Sequence, residues 1–284
     1  MSRPAATVRP EPLGTGRTPR VAAARKLTRP AGRTAAGRFL AEGPQAVREA
    51  LRRALTRAPG SVLDLFGTVT ALGRHGDLGD MARDAGVRVT PVTDEAAAGL
   101  SETVTPQGIV AVCARLDVAL AEVLSGVGAA PPRLVAVLAE IRDPGNAGTV
   151  LRTAGAIGAG AVVFAGDSVD PYNGKCVRAS AGSLFHLPIV SGVPVAAAVA
   201  SLRGAGLQIL AADADGETDL EDLSAAGALA RPTAWVFGNE ARGLPESVAM
   251  SADSRVAIAL PGQAESLNLA AAAAICLYAS ARTT

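Results

Sequence analysis

Apolar positions recur along this chain with two different periods. Over 45–56 they fall on one helical face, at Ala46, Val47, Ala50, Leu51 and Ala54, and this spacing predicts an amphipathic helix. Shorter apolar runs at 61–66, 87–92 and 109–113 predict strands, and 77–85 and 94–100 predict short helices. Together they make a small βαβ-like block. The stretch 117–133 ends in Gly-Val-Gly-Ala-Ala-Pro-Pro-Arg, the composition of a linker. Beyond it, strands are predicted at 134–139, 161–165, 208–212, 233–238 and 255–260, and helices at 148–157, 172–181, 195–204 and 267–281. Near-continuous apolar strands alternating with helices imply an α/β fold around a buried, mostly parallel sheet. Ligands of such sheets bind outside the C-terminal ends of the strands. The expected divisions are a leader without order over 1–21, a first domain over 22–116, a linker over 117–132 and a second domain over 133–284.

Composition narrows the class. Of 284 residues 49% are hydrophobic but only 3% aromatic, so the core is built from Ala, Val, Leu and Ile. Cys113, Cys176 and Cys276 lie far apart, with no CxxC and no Cys/His cluster. That excludes a disulfide framework and a zinc finger and suits a reducing compartment. His75 and His186 fall in different blocks, so neither a histidine triad nor a metal site is expected. The first twenty residues lack the apolar stretch of a signal peptide. The apolar run 269–279 is too short to cross a bilayer. The expected location is cytoplasmic, with no membrane contact.

Charge is uneven. Residues 1–38 hold nine of the 27 basic side chains and one acid, Glu11, which leaves 18 basic against 25 acidic residues in the remainder. A basic arm on a mildly acidic body fits a polyanionic partner such as nucleic acid; a solvated leader is the plainer alternative.

Three polar turns interrupt the apolar pattern at strand ends. The first is Asp143-Pro-Gly-Asn146-Ala-Gly-Thr, followed by a helix carrying Arg152. The second is Gly238-Asn239-Glu240-Ala-Arg242-Gly243-Leu-Pro, in which Glu240 and Arg242 form either a functional pair or a surface pair. The third follows Leu260-Pro-Gly and reads Gln-Ala-Glu-Ser266-Leu267-Asn268-Leu. Ser266 is the candidate N-cap of the last helix, and Asn268 is a polar residue at an apolar helix start that needs a partner if buried. The run Gly155-Ala-Ile-Gly158-Ala-Gly160 is not a dinucleotide fingerprint, and neither a Walker A motif nor a nucleophile elbow is present.

Taken together, the three turns resemble the motifs of the SpoU/TrmH family of RNA 2'-O-ribose methyltransferases, in the SPOUT superfamily. The first reads Asp143-Pro-Gly-Asn146-Ala-Gly-Thr-Val-Leu-Arg152, the second Val236-Phe-Gly238-Asn-Glu240-Ala-Arg-Gly243-Leu, and the third Ile258-Ala-Leu-Pro-Gly-Gln-Ala-Glu-Ser266-Leu267-Asn268-Leu. The segment Val169-Asp-Pro-Tyr-Asn-Gly-Lys175-Cys-Val-Arg178-Ala-Ser180 is similar to the one between the family's first two motifs. In the first block, Gly37-Arg-Phe-Leu-Ala-Glu-Gly-Pro44 and Thr105-Pro-Gln-Gly-Ile-Val110 resemble the edges of the family's RNA-substrate-binding domain.

The resemblance implies a catalytic domain threaded into a deep trefoil knot and preceded by a smaller α/β domain of ribosomal-protein-like fold. It implies S-adenosylmethionine as cofactor, RNA as partner and a homodimer joined through the knotted domains. By match, cofactor contacts fall on Ala212, Gly238, Asn239, Gly243, Ile258, Leu260, Ser266, Leu267 and Asn268, with Gly238, Ile258 and Leu267 offering backbone groups. Arg152, Asn146, Glu240, Ser266 and Asn268 become the catalytic set. A guanidinium is a fixed cation, so Arg152 is expected to stabilise phosphate and developing alkoxide rather than to act as a base. The expected reaction is ribose 2'-O-methylation of RNA, with 23S ribosomal RNA preferred over tRNA. A non-catalytic RNA-binding protein of the same fold and a nicotinamide enzyme are the competing classes. The four residues Asn146, Arg152, Glu240 and Asn268 weigh against the first, and the missing fingerprint against the second.

Overall fold

The computed structural model describes residues 14–126 and 131–283. The chain divides into two compact units, 1–114 and 115–284.

In the first unit, the Gly14 N–H donates to Pro91 O at 2.8 Å. Helices α1 (Pro19–Arg25) and α2 (Pro30–Ala36) follow, each with proline in the first turn, where its missing N–H is harmless. The expected leader over 1–21 is thus structured from Gly14 onward, while 1–13 lie outside the described residues. Next come β1 (Arg38–Glu42), α3 (Pro44–Thr56), β2 (Val62–Thr68), α4 (Val69–Arg74), α5 (Gly76–Asp84), β3 (Arg88–Val92), α6 (Asp94–Ala98) and β4 (Ile109–Ala114). The sheet order is β1-β4-β2-β3, with β4 antiparallel to both neighbours and β2 parallel to β3. The apolar face read at 45–56 is the buried face of α3, with Ala46, Val47, Ala50, Leu51 and Ala54 inside.

The second unit holds α7 (Leu120–Ser125), β5 (Leu134–Ala139), α8 (Pro144–Ala156), β6 (Ala161–Ala165), α9 (Gly174–Ala179), β7 (Ile189–Val193), α10 (Val195–Gly204), β8 (Gln208–Ala212), β9 (Thr218–Asp219), α11 (Leu220–Ala225), β10 (Thr233–Phe237), α12 (Glu246–Ser251), β11 (Ser254–Ala257) and α13 (Leu269–Ala281). Residues expected as a linker are built into this unit. Val118 N donates to Ile189 O at 2.9 Å, and α7 packs Leu120 into the core; 127–130 lie outside the described residues.

The seven strands are parallel, in the order β7-β6-β5-β10-β8-β11-β9. Strand β10, late in the chain, lies between β5 and β8, so that Val236 faces Val137 on one side and Ala211 on the other. Every residue of β5, β6 and β10 is buried, as the continuous apolar runs require. Strand β11 ends at Ala257 rather than continuing to 260, which frees Ile258 and Leu260 from the ladder.

Helix α13 closes one face of this sheet. Its Ser280 Oγ accepts a 2.8 Å hydrogen bond from Trp235 Nε1 on β10, with both residues buried. Ser280→Ala leaves the indole N–H unpaired in the core and is expected to destabilise the fold by about 1–3 kcal/mol. An unchanged thermal midpoint would contradict this.

Candidate active site at the strand C-terminal ends

Helix α8 starts earlier than the apolar pattern suggests. Asp143 caps it, accepting from Asn146 N at 2.8 Å, and Pro144 occupies the first turn. The signal was present in the Asp-Pro pair, a standard cap and first-turn combination. Lys175 Nζ, from α9, lies 2.8 Å from the other Asp143 oxygen. That contact, with the Asn146 N–H second, holds the Asp143 carboxyl below the usual aspartate range. A lowered carboxyl stabilises the fold above the ordinary aspartate pKa and loses that contribution as pH falls through the lowered value. Lys175→Met is therefore expected to move the Asp143 titration up toward the ordinary range, as read by carboxyl carbon shifts against pH. An unmoved titration would contradict the assignment.

The second turn follows β10. Asn239 and Gly243 exchange backbone hydrogen bonds of 2.8 Å in each direction, and Gly243 has φ +65°. Asn239 Nδ2 donates to Glu140 O at 2.9 Å, and its Oδ1 accepts from the N–H groups of Ala241 and Arg242. Gly238 has no room for a side chain, because a Cβ there would stand 2.4 Å from Gly243 C and 2.5 Å from Leu244 N. Glu240 and Arg242 do not pair. Arg242 reaches Glu140 at 3.9 Å, and Glu240 turns to the first motif.

The third turn ends in the cap of α13. That cap is Asn268 and not Ser266: Asn268 Oδ1 accepts from Ala270 N at 2.9 Å and Ala271 N at 3.4 Å. Both residue types cap well; Asn268 also carries an amide that reaches across to the first motif. Its Nδ2 donates to Asn146 Oδ1 at 3.0 Å. Asn146 Nδ2 in turn donates to Glu240 Oε1 at 3.1 Å. One side-chain chain, Asn268–Asn146–Glu240, thus joins three turns that are up to 122 residues apart.

These turns enclose a cavity of about 750 Å³, a size suited to a small organic cofactor. All nine residues matched to cofactor contacts line it: Ala212, Gly238, Asn239, Gly243, Ile258, Leu260, Ser266, Leu267 and Asn268. Asn146 and Glu240 line it too, whereas Arg152 does not. Arg152 is exposed on α8 and makes no side-chain hydrogen bond or ion pair among the described residues. Ser266 is exposed at the rim.

Sequence reasoning missed part of the wall. Phe237, Val256 and Leu269 add apolar surface, and Asp213, Asp215 and Glu265 add carboxylates. The acids after β8 were the available signal, since they follow directly on a strand C-terminal end. With Glu240 the lining holds four acids against one base, Arg242. A wall of this sign favours a cationic guest and disfavours a pyrophosphate.

Among the described residues no cluster of His, Cys, Asp and Glu could hold a metal ion. The three cysteines are free and buried, and burial raises each thiol, that of Cys276 to about 12; such thiols are inert. No helix among the described residues is long and apolar enough to cross a membrane.

Known proteins are similar to this chain in both fold and sequence. The SpoU rRNA methylase family model matches residues 133–278, and the MRM3-like substrate binding domain matches residues 18–111. The 23S rRNA (guanosine(2553)-2'-O)-methyltransferase RlmP of Bacillus subtilis is 32% identical over 247 residues, covering 87% of this chain and 89% of that protein. The AdoMet-bound rRNA methyltransferase of Sinorhizobium meliloti superposes with a TM-score of 0.76 at 28% identity, over 93% of this chain and 94% of that one. The SpoU methyltransferase AviRb of Streptomyces viridochromogenes, in complex with AdoMet, gives a TM-score of 0.77 at 27% identity, over 93% and 98%. With the family model spanning 133–278 and a relative matched over 87% of its length, this chain belongs to the SpoU rRNA methylase family.

Proposed function

We propose that the protein methylates a ribose 2'-oxygen of 23S ribosomal RNA. The chain is a methyltransferase of S-adenosylmethionine, as its family and its AdoMet-bound structural neighbours are. The observation that carries the reading is the Asn268–Asn146–Glu240 chain at the rim of the cavity. It ties together the three turns that enclose the cavity, so substrate and cofactor positions are set by one hydrogen-bonded unit.

The cavity fits this cofactor. Its apolar side at Ile258, Leu260 and Leu267 suits a base, and its acidic side suits a sulfonium and an ammonium. Bound there, S-adenosylmethionine supplies an electrophilic methyl group on a sulfonium. The residues of this chain then have three tasks. Gly238, Ile258 and Leu267 offer backbone groups and keep water from one face of the guest. Asn146, held at both ends of its amide, orients the ribose or Arg152. Arg152 brings a fixed positive charge to the target phosphate and to the 2'-oxygen as its proton passes to solvent water. Alignment of the reacting atoms supplies up to about 7–11 kcal/mol of such a barrier. Ser266 shapes the third turn.

Several features support the fuller family arrangement. Insertion of β10 between β5 and β8, followed by the return of α13 against α8 and β5, favours the trefoil-knotted threading. Arg152 lies outside the cavity lining, and α13 leaves Ile275 and Tyr278 substantially exposed. Both points favour a homodimer in which a partner protomer completes each site. The first unit, a four-stranded mixed sheet that carries the basic residues of 17–38, serves as the RNA-binding domain of ribosomal-protein-like fold, and the protein works in the cytoplasm on ribosomal subunits or their precursors.

The test is transfer of label from S-adenosylmethionine to deproteinised 23S rRNA and, in parallel, to total tRNA. Label in the 23S fraction is expected. Label confined to tRNA would replace the proposed substrate, and saturable cofactor binding without transfer to either would favour a non-catalytic RNA-binding protein.

A further inference from the structure

Residues 17–38 carry seven cations and no acid: Arg17, Arg20, Arg25, Lys26, Arg29, Arg33 and Arg38. The first unit uses two of them structurally. Arg20 pairs with Asp64. Arg33 is 2% exposed, and its Nη1 donates to Leu27 O and Thr28 O, both at 3.1 Å. A buried guanidinium is expensive to desolvate, and here it braces the single turn Lys26–Thr28 that joins α1 to α2. Gly32 packs against the same turn so closely that a Cβ would stand 2.0 Å from Lys26 O. Leu27 anchors the turn from below, in the core with Val21 and Ala24.

This braced turn presents three more of the cations outward. Arg25, Lys26 and Arg29 are exposed. Among the described residues none of the three has a carboxylate partner. With Thr28, Ser101 and Glu102 they line one open groove of about 810 Å³ within the first unit. Glu102 is the sole acid of its lining, and no aromatic residue takes part. Cations and hydroxyls without a stacking surface match a phosphate backbone and not unstacked bases.

We propose that the α1–α2 turn, through Arg25, Lys26 and Arg29, is a preformed contact for the phosphate backbone of the RNA substrate. This rests on the reading of the protein as an RNA methyltransferase and adds where, outside the catalytic cavity, the RNA is held. Fixing the turn in advance removes an ordering penalty from binding. The contact carries affinity and register without sequence information, so the choice of nucleotide lies elsewhere.

The test is a titration of deproteinised 23S rRNA with the full-length protein from 50 to 200 mM KCl. In the variant Arg25→Gln/Lys26→Gln/Arg29→Gln, the slope of log affinity against log salt is expected to become shallower by about 2–3, and affinity at 0.15 M salt to drop about 10²-fold. Affinity for S-adenosylmethionine is expected to stay unchanged. Glu102→Lys, which adds a cation to the same groove, is expected to steepen the slope by about 1. That variant keeps the test open should the triple variant fold poorly. A control, Arg57→Gln/Arg74→Gln/Arg83→Gln, removes equal charge from outside the groove and is expected to change the slope little. Unchanged slopes in both groove variants would overturn the proposal, as would an equal loss in the control. Failure of the unaltered protein to bind 23S rRNA would overturn this proposal together with the reading beneath it. Normal RNA binding without methyl transfer would overturn that reading alone.

Discussion

Arg152→Ala is expected to slow methyl transfer by about 10²–10³-fold and to leave both folding and cofactor binding intact. The structure separates these readouts. Arg152 is exposed, makes no side-chain hydrogen bond or ion pair among the described residues and lies outside the cavity lining. Alanine is also the better helix former, so α8 should not suffer. What is lost is a fixed cation beside the phosphate and the developing alkoxide, a loss felt in the transition state and hence in kcat. Arg152→Lys keeps the charge but not the planar fork and should recover only part of the rate. Single-turnover transfer and calorimetric binding of S-adenosylmethionine, run on the same preparations, check both halves. Near-normal transfer by the alanine variant would remove Arg152 from the chemistry. A matching loss of cofactor binding would recast it as part of the cofactor site.

The second large effect is expected at Gly238. A methyl group there meets backbone and not a movable side chain, at 2.4 Å from Gly243 C, 2.5 Å from Leu244 N and 2.6 Å from Gly243 O. The turn carrying Asn239 and Gly243 must then move, and with it much of the cavity wall. Overpacking of this kind costs about 1–3 kcal/mol. Gly238→Ala is therefore expected to lower the thermal midpoint and to weaken cofactor binding by at least about tenfold, since 1.4 kcal/mol is a factor of ten. Normal affinity with a normal midpoint would show that the turn tolerates displacement and that Gly238 does not shape the site.

The two effects differ in how legible they were. The strand ends and their polar turns stand out in the sequence because apolar runs stop abruptly at Ala139, Phe237 and Leu260. Gly238 and Asn268 were therefore visible as candidates, but their physical reasons were not. The contact between Gly238 and Gly243 depends on a local fold-back that periodicity does not encode. The link from Asn268 to Asn146 spans 122 residues and exists only once α8 and α13 lie together. Capping propensity alone could not choose between Ser266 and Asn268, as both types are favoured. Parallel pairing is long-range too, so nothing local announces that β10 fills the gap between β5 and β8. Strands β1 and β7 escaped the pattern because polar and small residues dilute their apolar runs, Arg38 and Glu42 at the two ends of β1 and Ser191 and Gly192 within β7. In the first unit, the first turn of α1 falls in the expected leader 1–21 because proline and charge at Pro19 and Arg20 outweigh Val21, the buried residue beside them.

The central claim is the chemistry: a methyl group placed on a ribose oxygen of 23S rRNA. Its most direct test is the identity of the product. 23S rRNA lacking the modification would be incubated with the protein and labelled S-adenosylmethionine, digested to nucleosides and resolved by mass spectrometry, with the labelled position mapped by its resistance to alkaline cleavage. A single 2'-O-methylated nucleotide, formed about 10²–10³-fold more slowly when Arg152→Ala replaces the wild-type protein, is the predicted result. A methyl group on a base, or no transfer to 23S rRNA by a protein that binds the cofactor, would contradict the account.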